Sequence, residues 1–411
     1  MIRRYILVLT NRNVLLIIVS SLFLSFSNAF FMWMLPIVFA KLGSILYLGF
    51  AYTVAYILSS PLSLIAGVIA DHYGRKPVII VSTLLILVAY LIALSHLNII
   101  IISIALVLLN VSVILSRPAV NSLIAESVES SLRGYAFTVI TFTSYMSLAI
   151  GSFILGRLSM RNLNYILLFI SLLCFPALLM RLFLRETLAV KYDKKNVMTS
   201  SVQEIIRFFK NVPSTLRNVQ ITYIYLSLMA MLGSTASTLF SIYIPVYLNM
   251  GLRLSMDVIG LVYTIAGITP LLVIFIGGYL VEVLGALVCL QLSLLLMAFP
   301  TLILTFLPYG SSLTVITLIS ASTLASALSQ VSSNTLIANL APQNIRAAVF
   351  SLLAALSLLA SIAAPSLGAL IFSLNMRLIP LVIGILFILS FKLSILLKFS
   401  VTKDETSKGL S

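Results

Sequence analysis

Gly67-Val-Ile-Ala-Asp71-His-Tyr-Gly74-Arg75-Lys76-Pro77 joins two long apolar runs, and the order of its residues is physically informative. Asp71 falls at the end of a helix, where the macrodipole disfavours an anion. It therefore needs a partner, either Arg75 or the N-terminus of an adjacent helix. Gly74 permits a tight turn, and Pro77 suits the first turn of the next helix. Arg75 and Lys76 are expected to face the phosphates of the inner leaflet. Gly67 is small where this helix must approach a neighbour closely, as small residues do in membrane bundles.

The rest of the chain has the same character. Of 411 residues, 61% are hydrophobic and 9% are charged, with a mean hydropathy of +1.19. Soluble domains carry about 25% charged residues, so a water-soluble enzyme is excluded. A bilayer core of roughly 30 Å takes about 20 apolar residues per helix. Twelve such stretches are expected, at 13–40, 44–70, 77–95, 98–124, 134–156, 163–184, 220–248, 256–281, 286–307, 312–339, 347–372 and 378–398. The first follows Arg3, Arg4 and Arg12 but is too long for a signal-peptide core, and is read as a retained span. If both termini are cytoplasmic, nineteen Lys and Arg lie inside and five outside (Lys41, Arg157, Arg161, Arg253 and Arg377). That asymmetry obeys the positive-inside rule and explains the net charge of +15 without a nucleic-acid partner. Cys174 and Cys289 both lie in apolar runs and make neither a disulfide framework nor a metal site.

The chain also repeats itself. Phe31, Pro36, Gly49, Tyr52, Gly67, Asp71 and Gly74 return as Phe240, Pro245, Gly260, Tyr263, Gly278, Glu282 and Gly285. Asn121-Ser-Leu-Ile-Ala-Glu returns as Asn334-Thr-Leu-Ile-Ala-Asn, each followed by an arginine, Arg133 and Arg346. Rare Pro, Gly and acidic positions in one register indicate a duplication. The expected organisation is a six-helix bundle at 1–184, a cytoplasmic loop at 185–219, and a second bundle with a short tail at 220–411. Within the loop, Val202, Ile205, Ile206 and Phe209 have the spacing of a short interfacial helix, although a plain solvated linker helix fits equally. The fold class is thus all-α and polytopic, with twelve transmembrane helices in two pseudo-symmetric six-helix bundles. Parallel repeats of this kind place a substrate site at the repeat interface of a rocking transporter.

The loop from Gly67 to Pro77 resembles the signature loop of the major facilitator superfamily, G-x-x-x-D-R/H-x-G-R-K/R-x. With twelve spans, the two-fold repeat and the central loop, the resemblance covers nearly the whole chain. It implies that Gly67, Asp71, Gly74, Arg75 and Lys76 form a latch holding the outward-facing state, with Glu126 joining its ion pairs. The second-half copy has Ala286 and Leu287 where Arg and Lys stood, so any latch there is weaker. Drug-efflux members carry an arginine about twelve residues before a proline in span four. Here Leu106 occupies that place and Asn110 is the nearby polar residue. Arg117 lies in the same span, ~9 Å past its middle, as a ligand, a gate or a snorkelling anchor.

The resemblance also implies that spans one, four, seven and ten line the substrate path. Their mid-depth polar residues include Asn28, Asn110, Thr235, Thr238, Ser326 and Gln330, to which Arg117 is added. No acid falls at mid-span, no Walker loop is present, and no cofactor or metal is expected. The expected activity is therefore secondary or facilitative transport of a small neutral or amphipathic solute by a monomer in the plasma membrane. A non-transporting sensor or lipid-handling protein on the same fold is the alternative.

Overall fold

A computed structural model describes residues 2–43, 45–158, 163–188, 221–340 and 346–408. Every regular element among them is helical. The first half contains α1 (Ile2–Thr10), α2 (Arg12–Phe23), α3 (Ser25–Ala29), a π-helical turn (Phe30–Met34), α4 (Leu35–Leu42), α5 (Ile45–Tyr73), α6 (Arg75–Ser95), α7 (Ile99–Ser127), α8 (Arg133–Arg157) and α9 (Leu163–Leu182). The second contains α10 (Ile221–Val246), a π-helical turn (Tyr247–Gly251), α11 (Met256–Ile268), α12 (Pro270–Leu284), α13 (Ala286–Phe306), α14 (Ser312–Leu340), α15 (Arg346–Leu374) and α16 (Leu378–Lys408). Twelve helical segments are long and apolar enough to cross a membrane. By internal contacts the chain divides into two compact units, residues 1–210 and 211–411. The interfacial helix expected at 202–210 lies outside the described residues.

Sequence sets where these helices start and break. Asn11 caps α2 by accepting from Asn13 N and Val14 N, and Asn98 caps α7 by accepting from Ile100 N. The run expected at 13–40 is broken at Leu24 and again by a π turn. The hydroxyls of Ser20 and Ser25 donate back to Ile17 O and Leu22 O, a pattern that bends helices. In the second half the run expected at 256–281 breaks at Thr269, because Pro270 has no N–H for the helical ladder.

The duplication is visible in the helices themselves. Both ends of α6 recur 211 residues later in α13, and both ends of α7 recur 213 residues later in α14. Gly74 (φ +100°) and Gly285 (φ +86°) each precede one of these third spans, in backbone conformations open essentially to glycine alone. Each half also packs its first span on its fifth through small residues. A Cβ on Gly151 of α8 would sit 2.8 Å from Ser25 O, and one on Gly368 of α15 would run into the Tyr243 ring of α10. Polar contacts accompany both crossings. Trp33 Nε1 donates to Ser152 Oγ at 3.1 Å in the first half, and Ser234 Oγ donates to Ser357 O at 3.0 Å in the second.

Two expectations need correction. Gly67 has nothing within 4 Å of where a Cβ would stand, so no close helix approach within its own half requires it. Arg181, counted above among the loop bases, is 5% exposed inside α9. Its guanidinium donates to Ser20 Oγ (3.2 Å) and Thr83 Oγ1 (2.7 Å), tying α9 to α2 and α6. Both hydroxyls already donate to carbonyls of their own helices, which leaves their lone pairs for the cation.

The two glycines make a matched prediction. Gly151→Ala must push against Ser25 backbone and should destabilise the protein by about 1–3 kcal/mol, read as a lower melting temperature in detergent. Gly67→Ala meets open space and should leave melting unchanged or slightly raised. Equal effects would contradict the packing described.

Candidate functional site

The signature loop folds into a charge cluster at one end of the first half. Asp71 ends α5, Arg75 opens α6, Glu126 ends α7, and Glu186 follows α9. The Arg75 guanidinium pairs with Asp71 Oδ1 and with Glu126 Oε1 at 3.1 Å. Its side chain is only 8% exposed, whereas those of Asp71 and Glu126 are 51% and 34% exposed. The geometry follows from helix electrostatics. A cation is misplaced at the N-terminus of α6, but its guanidinium reaches the C-terminal ends of α5 and α7, where positive charge is favoured. The expectation that Arg75 faces lipid phosphates is therefore wrong: it is buried, while Lys76 is half-buried. The exposed acids are screened, so each pair is worth under about 1 kcal/mol. Removing both acids would strand a buried cation, which costs considerably more.

Glu186 is the member that motif reading missed. Its carboxylate accepts from Arg75 N and Lys76 N, both at 3.0 Å, satisfying two of the orphan N–H groups at the start of α6. It also accepts from Thr187 N (3.0 Å) and Leu188 N (3.1 Å), and the Thr187 hydroxyl donates to Glu126 Oε2. Gly74 makes room for this acid, since a Cβ there would lie 2.6 Å from Glu186 Oε2. The only signal in sequence is an acid directly after span six, 110 and 111 residues from its partners. Asn13 completes the seam, accepting from Arg185 N at 2.9 Å and donating to Arg185 O at 3.1 Å. The second-half copy keeps the positive-φ glycine, but Glu282 is exposed and makes no ion pair among the described residues.

The seven candidate path residues separate into two groups. Asn110 is 8% exposed and donates to Leu106 O of its own helix. Thr238, equally buried, donates to Ser361 Oγ, and Thr235 donates to Met231 O. Asn110 and Thr235 bond within their own helices, and Thr238 ties α10 to α15. Asn28, Arg117, Ser326 and Gln330 are exposed, and Arg117 makes no ion pair among the described residues. Ser237, passed over in favour of its neighbours, is exposed too.

All of these but Ser326, whose counterpart at the offset of 213 is Val113, obey the repeat. Ser237 is the counterpart of Asn28 at the offset of 209 that relates Phe31 to Phe240. Gln330 and Asn334 are the counterparts of Arg117 and Asn121 at the offset of 213 that relates α7 to α14, and all four are exposed. Ser103, Asn110 and Arg117 fall at steps of seven along one face of α7. Ser103 also lines a groove of about 460 Å³ between α5 and α7, whose other walls include Tyr47, Phe50, Leu58, Ile100 and Val107.

Because Gly74 and Glu186 touch, their variants should not add. Glu186→Ala should lower stability by about 1 kcal/mol through the lost cap. Gly74→Ala should lower it by ~1–3 kcal/mol through backbone strain and displacement of the carboxylate. The double variant in a thermal-melting cycle should lose less than the sum. Strict additivity would show that the acid does not seat on that turn.

Comparison with known proteins agrees with the fold. The chain resembles the structure of a nucleoside transporter, with a TM-score of 0.78 at 11% identity, covering 94% of this chain and 100% of that one. A POT-family transporter in complex with 5-aminolevulinic acid gives 0.73 at 14% identity, covering 95% and 96%. The human organic anion transporter gives 0.60 at 17% identity, covering 93% and 99%. At these identities the likeness shows the fold. No curated protein sequence matches the chain. The sequence profile of the Major Facilitator Superfamily matches residues 17–257 and 226–410, and the chain belongs to that superfamily.

Proposed function

We propose that the protein is a monomeric plasma-membrane transporter that moves a small neutral or amphipathic solute by rocker-switch alternating access. Both termini and the 185–219 segment lie on the cytoplasmic side in this reading, which rests on the distribution of loop bases. Moving the buried Arg181 out of that count leaves eighteen bases inside against five outside.

One observation carries the transport reading. In each half, the first and fourth spans expose polar side chains at repeat-equivalent positions: Asn28 and Arg117 with Asn121 in one, Ser237 and Gln330 with Asn334 in the other. Polar groups in hydrocarbon avoid lipid, so faces that remain polar and uncovered by their own bundle serve water or solute. Hydroxyls, amides and one guanidinium favour a solute with hydrogen-bonding groups, and the groove beside Ser103 favours one with an apolar part. The similar structures named above are a nucleoside transporter, an organic anion transporter and a POT-family transporter in complex with 5-aminolevulinic acid, a range of organic solutes compatible with such faces.

The signature loop supplies the switch. Arg75 is committed to carboxylates of its own half, so the group left to engage another partner is the half-exposed carboxylate of Asp71. Asp71→Asn removes that charge and should bias the population inward. Coupling to protons has no mid-span acid to act through and would depend on peripheral acids such as Asp71 or Glu126.

Flux in proteoliposomes, screened over neutral and amphipathic solutes, tests the proposal. Gln330→Ala should raise the KM for the transported solute several-fold with an unchanged melting temperature. Thr238→Val should lower the melting temperature with little change in KM. Flux that depends strictly on an imposed pH gradient, and does so in Asp71→Asn and Glu126→Gln as well, would contradict the coupling. Absence of solute-dependent flux would favour a sensor on this fold.

A further inference from the structure

Helix α1 has no place in the transport scheme, and its geometry assigns it another. It bends away from α2 by 81° at Asn11, so it runs across the bundle end and not through the bilayer. Residues Arg12 to Leu42 cover about 45 Å at 1.5 Å per residue. A hydrocarbon core is roughly 30 Å thick, and the headgroup layers extend it to about 40–45 Å. The bend therefore falls at headgroup depth.

The helix is held there by its own contacts. Val8 is fully buried in a cluster with Val14, Ile17, Val78, Leu123 and Leu184, the end of the half that carries the Arg75 network. Tyr5 stacks edge-on against Tyr135 of α8 at 5.0 Å, and Arg4 donates to the Tyr135 hydroxyl at 3.4 Å. That packing uses one side of α1 and leaves apolar surface bare. Ile6 is 54% exposed and Leu9 is 40% exposed, one turn apart on a stripe next to Tyr5. Arg4 and Leu7, also one turn apart, lie on the opposite face. Exposed bases surround the site: Arg4, Arg12, Arg133 and Arg185.

We propose that α1 is a membrane-surface helix whose partner is the lipid of the adjacent leaflet, with Ile6 and Leu9 seated at the headgroup–acyl boundary and Leu7 turned to water. Amphipathic helices bind in this way, with the apolar face buried about 5–10 Å and bases drawn to anionic headgroups. The contact would tie the ends of α2 and α8 to the membrane surface. It does not depend on which solute, if any, the protein moves.

Nitroxide labels at I6C, L7C and L9C provide the test, in a background with Cys174 and Cys289 replaced by alanine. The labelled protein is placed in nanodiscs of phosphatidylcholine with phosphatidylglycerol. Collisions with oxygen should exceed collisions with the water-soluble nickel chelate at positions 6 and 9, by several-fold relative to position 7. Chelate access at positions 6 and 9 equal to that at 7 would place the helix in water and overturn the proposal. Shielding of 6 and 9 from both reagents would show protein cover, and oxygen dominance at all three would show a helix inside the hydrocarbon. Either result would overturn it as well.

Discussion

No water reaches the hydrocarbon of a bilayer, so a polar group placed there must find its partner in the protein. The backbone solves this uniformly by forming helices. The side chains solve it one by one, and their solutions separate structural residues from those left for function. Two buried arginines show how far a bundle goes to satisfy a cation. Arg75 draws carboxylates from the ends of α5 and α7. Arg181 is instead held by two hydroxyls whose own protons are already committed to backbone carbonyls.

The same accounting isolates the candidate path. Once Asn110, Thr235 and Thr238 are assigned to contacts within their own bundles, Asn28, Arg117, Ser326 and Gln330 remain exposed, and all but Ser326 have an exposed polar counterpart at the repeat offset. A bundle could hide one such residue against a neighbouring helix at little cost. Leaving matched positions open in both halves is what two copies of a solute-facing helix pair would do. The Arg75 network, at the end of the same half, is assigned to conformation in the proposed scheme.

Much of this was legible in the sequence because it depends on period and on rare residues. Apolar runs gave the spans to within a few residues, and the Gly, Pro and acidic register gave the repeat. Arg75 was one of two partners that helix electrostatics offered Asp71, and the part of Glu126 came from the family resemblance. What stayed hidden depends on which way a side chain turns or on contacts across long stretches of chain. Glu186 lies 110 and 111 residues from the amides it caps, and Arg181 looked like a loop base because one helical turn separates loop from core. Ser237 and Thr238 are adjacent hydroxyls of nearly identical hydropathy, and only the rotation of α10 decides that the first is open and the second buried. Gly67 fits a motif whose packing partner, if it has one, is not in its own half.

The claim on which the rest of the functional account turns is that repeat-related polar positions line one alternating path. Single cysteines at Asn28 and Ser237, in a cysteine-free background, can be labelled from either face of sealed proteoliposomes with an impermeant maleimide. The account predicts that each position reacts from both faces in turn and that transported solute slows labelling at both. Reactivity from a single face, or labelling indifferent to solute at both positions, would contradict it.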